Sequence, residues 1–321
     1  RRAGEPVRLT VGANAMSVSV TPDERFLAWS TFVPRTSNLW SAPLREGGVI
    51  DRSSGTPITR GAQGIEEGSP RLSPDGRWIT FLSDARGNND LYRVSAAGGE
   101  VEPLTDTPEN EGTGDISPDG RELAYYLQRQ GSRDVFVRSL ASASVTRLTR
   151  TPRVEERLVA WSPDGRAINA YDCCDADGLE SSWIIERDSA GSWRAPRRVV
   201  PDRYCPWLRA DRLLCTQADT VLAYTLQGVP AETVYVARRG EPRPRGWTSV
   251  LPGDDGRSVL IKGLADSTIW RVASPGARPV RLVRIADSAI LQGLFAIRGG
   301  RLYYSLVEQP ETADIWAARL G

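Results

Sequence analysis

The chain has 321 residues, with 41 lysines and arginines against 40 acidic residues, no histidine, and a formal net charge of +1. This balance gives no overall field that favours nucleic acid or an anionic membrane. The lack of histidine excludes Ser–His–Asp and Cys–His nucleophiles, histidine general bases and histidine-bound metals. The sequence contains no run of 18 apolar residues, so it predicts no transmembrane segment. Because the chain begins at Arg1 and not at Met, we expect a targeting or anchoring segment upstream.

One turn recurs along the chain, as Thr-Pro-Asp-Glu-Arg at Asp23, as Ser-Pro-Asp-Gly-Arg in the next three copies, and in degenerate form in the last three. Proline presets the first central position of this turn, aspartate caps it with its side chain, and glycine takes the positive-φ position. The alternating or apolar run after each turn predicts a strand. The seven turns are centred on Asp23, Asp75, Asp119, Asp164, Asp211, Asp255 and Gly299. Their spacing of 44 to 52 residues indicates a structural repeat.

Each repeat predicts four short strands, with the turn between the first and the second. An aromatic residue lies at or within a few residues of position 17 after the centre of each turn, as Tyr92 does after Asp75, and we expect it to fill the space between neighbouring sheets. A further short segment, such as the one ending at Leu104-Thr105, closes the unit. Four-stranded sheets that stack radially are the blades of a propeller. An insertion at residues 44–57 of the first repeat predicts a polar loop.

The two ends of the chain predict how the ring closes. After Gly299 there are 22 residues, and 23 residues lead up to and include Asp23, so the two remainders sum to 45, which is one repeat. Residues 5–10 have the sequence of a fourth strand without a preceding blade. We therefore predict an all-β fold, a seven-bladed propeller of four-stranded blades over residues 1–321 as a single domain. Residues 5–10 would complete the last blade beside residues 313–318.

The Ser-Pro-Asp-Gly-Arg turns, the Asp-Leu-Tyr and Asp-Ile-Trp triplets and the Leu-Thr closures resemble the repeat of TolB-like propellers. The resemblance is strong at residues 71–105, 115–149 and 160–200 and weaker in the other repeats. The TolB-like family includes periplasmic scaffold proteins, sensor domains of bacterial kinases and transcription regulators, and the gating domains of prolyl-oligopeptidase-like enzymes. The resemblance therefore implies a bacterial, often extracytoplasmic, interaction module.

The four cysteines, Cys173, Cys174, Cys205 and Cys215, allow disulfides in an oxidising compartment. Cys205 and Cys215 lie symmetrically about the turn at Ala210, so they face each other across the predicted antiparallel pair, within bridging range. We predict a Cys205–Cys215 disulfide. Buried free thiols, or a bridge from Cys173 or Cys174 to Cys205, are the alternatives.

Acidic residues form two candidate sites. Asp172, Asp175, Asp177 and Glu180 fit either a Ca²⁺ site or a solvated loop, but they do not follow the order of a calcium-binding loop. A second set precedes the first strands of three repeats, and it consists of Glu66, Glu67, Glu109, Glu111, Glu155 and Glu156. Paired carboxyls at this position are what a glycosidase or lyase needs at the central funnel. We interpret both sets as solvated acidic residues and predict no catalytic residues, no metal and no cofactor.

Two stretches rich in tryptophan and arginine stand out in consecutive repeats, a composition typical of interface hot spots. Their members are Trp193, Arg197, Arg198, Arg243, Arg245 and Trp247. We predict that they form one sector of the rim and bind a partner.

Together these features predict a non-enzymatic protein that binds another protein on the periplasmic or extracellular side of the membrane. It would be an accessory or scaffold subunit of a membrane-associated bacterial complex, of which a respiratory or photosynthetic complex is one form. No nucleic-acid partner is expected. The alternatives are the sensor module of a larger receptor, such as a kinase or transcription regulator, and a carboxylate-dependent glycosidase or lyase.

Overall fold

The computed structural model describes twelve segments of the chain, and two compact units contain them. The segments are residues 15–20, 26–33, 36–60, 70–84, 86–129, 132–150, 156–172, 181–201, 203–244, 249–263, 265–309 and 312–319. One unit spans Ser37–Leu306, and the other comprises Arg1–Thr36 with Val307–Gly321. The prediction of one domain over residues 1–321 stays a prediction.

The N-terminal part of the chain supplies strands to three different sheets. Its strands are β1 (Ala15–Val20), β2 (Phe26–Val33), β3 (Thr36–Pro43), β4 (Val49–Ile50) and β5 (Thr56–Pro57). A short 3-10 turn at Arg52–Ser54 separates β4 from β5. The insertion predicted as a polar loop at residues 44–57 therefore contains two short strands, β4 and β5, and a turn between them.

The next sixteen strands form four antiparallel, four-stranded blades in chain order. Blade A contains β6 (Arg71–Leu72), β7 (Trp78–Ser83), β8 (Asp90–Ser95) and β9 (Glu102–Pro103). Blade B contains β10 (Glu111–Ile116), β11 (Glu122–Arg129), β12 (Ser132–Ser139) and β13 (Val145–Arg147). Blade C contains β14 (Glu156–Trp161), β15 (Ala167–Asp172), β16 (Ser181–Glu186) and β17 (Arg197–Pro201). Blade D contains β18 (Trp207–Arg209), β19 (Arg212–Gln217), β20 (Thr220–Thr225) and β21 (Pro230–Val236).

Two further blades use N-terminal strands. Blade E contains β22 (Val250–Pro252), β23 (Val259–Gly263), β24 (Thr268–Val272) and β25 (Val280–Ile285), and β4 joins its outer edge in parallel. A helix, α1 (Ser288–Gly293), follows it. Blade F has the order β26 (Leu294–Arg298), β27 (Arg301–Gln309), β3 and β5, so the C-terminal and N-terminal parts of the chain share one sheet.

Six apolar clusters join the six blades into a closed ring. Each cluster fills the space between two consecutive blades, from Leu82 and Ile116 between blades A and B to Leu260 and Leu302 between blades E and F. Leu39 and Tyr303 of blade F pack with Ile79 and Phe81 of blade A, which closes the circle. The burial of apolar area at each cluster stabilises the fold by about 25 cal/mol per Å². This burial is the main force that holds the sheets side by side.

The prediction of seven blades is therefore wrong, because the structure has six. The spacing of the turns counts hairpins, and the hairpin at the first turn does not grow into a four-stranded sheet. Its strand β2 pairs with β28 (Thr312–Arg319) instead of β3, and β1, β2 and β28 form a three-stranded sheet of the smaller unit. Two N-terminal strands, β3 and β5, complete the last blade, and residues 313–318 lie in the three-stranded sheet. Residues 5–10 lie outside the described part of the chain.

The predicted turn chemistry is present at each Ser-Pro-Asp-Gly turn. Ser73 Oγ donates to Asp75 Oδ1 at 2.6 Å, and the same oxygen accepts the backbone N–H of Arg77 at 3.0 Å. The turns at Asp119 and Asp164 repeat both bonds. The turn glycines have positive φ, for instance 75° at Gly76. Local side-chain chemistry thus fixes where each first strand ends and each second strand begins.

No helix of the described residues is long and apolar enough to cross a bilayer.

Candidate functional site

Two carboxyl groups meet at the junction of blades A and B. Glu111, which begins β10, is 3% exposed, and Asp90, which begins β8, is 1% exposed. Thr107 donates to Glu111 Oε1 at 2.6 Å, whereas Glu111 Oε2 and Asp90 Oδ1 have no hydrogen-bond donor. Burial, with the neighbouring Asp90 charge as a smaller cause, raises the pKa of Glu111 to about 7. A proton on Glu111 would satisfy the free oxygens of this pair.

A third buried carboxyl, Asp115, lies four residues further along β10. Its Oδ2 accepts the backbone N–H of Trp161 in blade C at 2.8 Å, and its Oδ1 has no hydrogen-bond donor. Burial raises the pKa of Asp115 to about 7, although the Trp161 N–H and the Arg71 charge favour the carboxylate. Trp161 Nε1 donates to the backbone oxygen of Asp115, so this residue also links blades B and C.

The three carboxyls do not form an open catalytic pair. Of the predicted acidic set, Glu111 is buried with an acid outside that set, Asp90, while Glu66, Glu67 and Glu155 lie outside the described residues. General acid–base catalysis requires a carboxyl within hydrogen-bond reach of a substrate. Residues exposed by 5% or less, as these three are, do not offer that reach. Among the described residues, no group of three His, Cys, Asp or Glu side chains fits a metal ion.

An open groove lies between blades F and A, with a volume of about 710 Å³. Blade F contributes Ser41, Arg301 and Tyr303, and blade A contributes Arg77 and Ala96, among other residues. Tyr303 and Ala96 also belong to or pack against the apolar cluster between these blades. The groove is therefore a recess whose floor is the outer surface of a packed core.

One turn beside this groove departs from the repeated sequence. Between blades B and C, Pro118 fills the space beside the turn glycine, with its Cδ 3.5 Å from where a side chain at Gly165 would begin. In blade F the corresponding turn has Arg298 in place of the proline, followed by Gly299 and Gly300 with φ of 56° and 69°. No atom lies within 4 Å of the side-chain position at either glycine. At the junction of blades F and A, Arg298 takes the place that Pro118 has between blades B and C, with its Cδ 3.2 Å from the side-chain position of Gly76.

Arginines without carboxylate partners border the groove. Arg298 borders the groove through Gly76 of blade A, one of its lining residues, with its Cδ 3.2 Å from that glycine's side-chain position, and it makes no ion pair with the described residues. Arg301 donates to Ser41 Oγ at 2.8 Å and likewise has no acidic partner. Arg77 is paired with Asp75 at 2.6 Å, but its side chain is 67% exposed. Among the described residues, the charged side chains that line the groove are Arg77 and Arg301, with no aspartate or glutamate, so the lining is positively charged.

The predicted rim residues that the structure describes do not lie in one group. Trp193 lies in the connection between β16 and β17, where its ring is 5.8 Å from Trp161. Arg187 covers Trp193 at 4.2 Å and pairs with Glu122 of blade B at 2.7 Å. Trp193 is thus engaged in the junction of blades B and C.

The predicted arginines of this sector have separate surroundings. Arg197 donates to the backbone oxygen of Leu226 in blade D, and Arg198 donates to Ser181 Oγ at 3.0 Å. Arg243 pairs at 3.0 Å with Asp219 in the turn between β19 and β20. Connections alternate between the two ends of an antiparallel blade, so Arg243 lies at the end opposite Trp193. Arg245 and Trp247 lie outside the described residues.

Cys205 and Cys215 are placed as a disulfide with Cα atoms 4.6 Å apart. Both are fully buried, in the cluster between blades C and D, where Asn169 of blade C also donates to the backbone oxygen of Cys205 at 2.7 Å. Cys173, Cys174 and the acids from Asp175 to Glu180 lie outside the described residues.

Sequence reasoning missed the groove and the buried pair for different reasons. The replacement of Pro-Asp-Gly by Arg298-Gly299-Gly300 was visible as a degenerate turn, and it was the signal for an arginine where the intact turns have a proline. Asp90 belongs to the Asp-Leu-Tyr triplet, which the sequence presents as a strand start and not as a neighbour of Glu111.

Known proteins resemble this propeller in sequence and in structure. A similar curated protein is "Uncharacterized peptidase YuxL" of Bacillus subtilis (strain 168), 40% identical over 74 residues. That match covers 23% of this chain and only 10% of YuxL. Among solved structures, the β-propeller domain of the Trilobed protease from Pyrococcus furiosus has a TM-score of 0.50 at 15% identity, covering 79% of this chain and 83% of that chain. TolB from Acinetobacter baumannii has a TM-score of 0.46 at 19% identity, covering 69% of this chain and 55% of that chain.

Likeness to solved structures at such identities concerns the fold alone. The sequence match to a family is more direct, because the model described as the TolB beta propeller domain covers residues 7–172, or 166 of the 321 residues. With more than half of its length matched, the chain belongs to the TolB beta propeller domain family.

Proposed function

We propose that this chain is a non-enzymatic protein-binding propeller that docks a partner in the groove between blades F and A. The supporting observation is the combination of an open recess of about 710 Å³, an apolar floor and arginines, of which Arg298 and Arg301 have no carboxylate partner among the described residues. Arginine beside desolvated apolar surface is the composition that gives large binding energies per residue. The buried carboxyls offer no comparable access.

The proposed location is the periplasmic or extracellular side of the membrane, in an accessory or scaffold subunit of a membrane-associated bacterial complex. The pairing of Cys205 with Cys215 supports it, because disulfides persist in oxidising compartments. A sensor module of a larger receptor would use the same ring and the same groove.

Site-specific photo-cross-linking tests the docking proposal. A benzophenone side chain at Thr56, an exposed residue of the groove, should cross-link one protein in solubilised membranes of the source bacterium. The same group at Ser142, equally exposed on blade B but outside the groove, is the matched control. A product that depends on the Thr56 position supports the proposal. Equal products from both positions, or none from Thr56, contradict it.

The second candidate is a carboxylate-dependent glycosidase or lyase, favoured by the raised pKa of Glu111 beside Asp90. This function requires a movement that opens the buried pair to substrate. A panel of neutral and acidic polysaccharides provides the test. Turnover by the wild-type chain that Glu111→Gln abolishes would replace the docking proposal.

A further inference from the structure

We propose that the groove between blades F and A takes an acidic, extended segment of the partner protein. The carboxylates of this segment would lie on Arg298, Arg301 and Arg77, with an apolar side chain between them on the floor of the groove. The inference rests on the proposed docking function and adds the chemistry of the partner.

The first argument is the charge of the groove. Arg298 and Arg301 have no acidic partner, and the residues that line the recess include no aspartate or glutamate. Guanidinium groups bind carboxylates through two parallel hydrogen bonds, and such charge-assisted pairs are stronger than neutral ones. A neutral or basic segment would leave these donors without acceptors while it displaced their water. Charge complementarity therefore selects an acidic occupant.

The second argument is the floor. Ile58 and Tyr303 are 6% and 7% exposed, and both line the groove and belong to the packed cluster beneath it. Ala96 and Pro57 add small apolar surface at its sides. A single leucine- or phenylalanine-sized side chain would bury apolar area on this surface. The arginines around it would fix the register of the flanking carboxylates.

The third argument is that the positive groove belongs to one junction of the ring. The intact turns have an arginine at the place of Arg301, namely Arg77, Arg121 and Arg166. Arg77 has its own aspartate, and the recess beside Gly165 is filled by Pro118. At the junction of blades F and A, Arg298 stands beside the turn glycine where Pro118 stands between blades B and C, and Arg301 adds a second guanidinium to the groove. This difference provides an internal control.

The experiment measures binding of a labelled peptide, Gly-Glu-Asp-Leu-Phe-Glu-Glu-Gly, to the full chain by fluorescence anisotropy. Its twin has glutamine or asparagine at each acidic position. We expect the acidic peptide to bind at least about tenfold more tightly than its twin at low salt, and the difference to shrink as salt rises. Arg298→Gln and Arg301→Gln should each weaken binding by about tenfold, which corresponds to one charge-assisted hydrogen bond. Arg166→Gln, at the equivalent position of an intact turn, should leave it unchanged.

Stability controls keep these variants interpretable. Arg298 has no ion pair to lose, so Arg298→Gln should melt like the wild-type chain. Equal binding of the two peptides would overturn the inference, as would equal effects of Arg166→Gln and Arg298→Gln. Tighter binding of a single-stranded oligonucleotide than of the acidic peptide would also overturn it, because the groove would then be a phosphate site. If Thr56 cross-links a partner but the peptides bind alike, the acidic chemistry fails and the docking function stands.

Discussion

Replacement of Asp115 by asparagine should stabilise the ring at pH 8 and lose this advantage at pH 4. The carboxyl has a pKa of 3.8 when exposed and about 7 in the fold, because it is buried with one oxygen lacking a donor. The folded chain therefore binds more protons than the unfolded chain between these values, and the free energy of unfolding falls as pH rises through this window. At pH 8 the ionised group lowers the free energy of unfolding by at most about 4 kcal/mol. This value follows from the difference of 3.2 between the two pKa values, since each pKa unit corresponds to about 1.36 kcal/mol.

Asparagine keeps the shape of Asp115 and carries no charge. Its Oδ1 can accept the Trp161 N–H, but its amide N–H₂ then lacks an acceptor, which costs about 1–3 kcal/mol. The net gain at pH 8 should therefore be about 1–3 kcal/mol. As the pH falls from 8 to 4, the free energy of unfolding of the variant relative to that of the wild-type chain should fall by about 4 kcal/mol.

Urea denaturation at several pH values measures this difference. The control is Asp119→Asn, four residues away, because hydrogen bonds from Ser117 and Arg121 lower the pKa of Asp119. That variant should lose stability at pH 8, and its deficit should shrink as pH falls. The reasoning about Asp115 is refuted if its variant has a pH-independent effect or is less stable than the wild type at pH 8.

Three further expectations concern the core. Non-reducing digestion should release one cross-linked peptide with Cys205 and Cys215, whereas two separately alkylated thiols would exclude the bond. Cys215→Ala should lower the free energy of unfolding by about 2–3 kcal/mol, as expected for a loop of this length. The Tyr126 hydroxyl donates to the backbone oxygen of Leu158 in the next blade. Tyr126→Phe should therefore lower the free energy of unfolding, measured in urea, by about 1–3 kcal/mol. An unchanged free energy would mean that this bond does not hold the two blades together. Burial lowers the pKa of Lys262 from 10.5 to about 8. The stability of the wild-type chain should therefore rise between pH 8 and 10.5 relative to that of Lys262→Met, as followed by thermal melting. A stability difference that stays constant over this range would contradict the expectation.

The parts of the fold that the sequence predicts are the parts fixed by nearby residues. The turn at Asp75 depends on a serine two positions before it and an amide two positions after it. The pairing of Cys205 with Cys215 depends on a short hairpin, and it too could be read from spacing. The all-β class and the four-stranded blades follow from repeating such units.

The number of blades depends on a choice between distant partners, and local chemistry does not make that choice. Strand β2 joins β28, nearly the whole chain away, whereas β3 joins β27. The predicted grouping of Trp193 with Arg243 failed for a related reason. Their repeats are consecutive, but strand direction places one residue in a β16–β17 connection and the other beside the turn between β19 and β20.

The construction of blade F has a consequence for the order in which the protein is made. Strands β3 and β5 leave the ribosome early, yet their partner β27 begins at Arg301, more than 240 residues after β5 ends at Pro57. Until then β3 presents an unpaired edge, which is a template for pairing with another chain. Blade F is therefore the last sheet of the ring that can form. A nascent chain that stalls before Arg301 contains every other blade but has no way to close the ring.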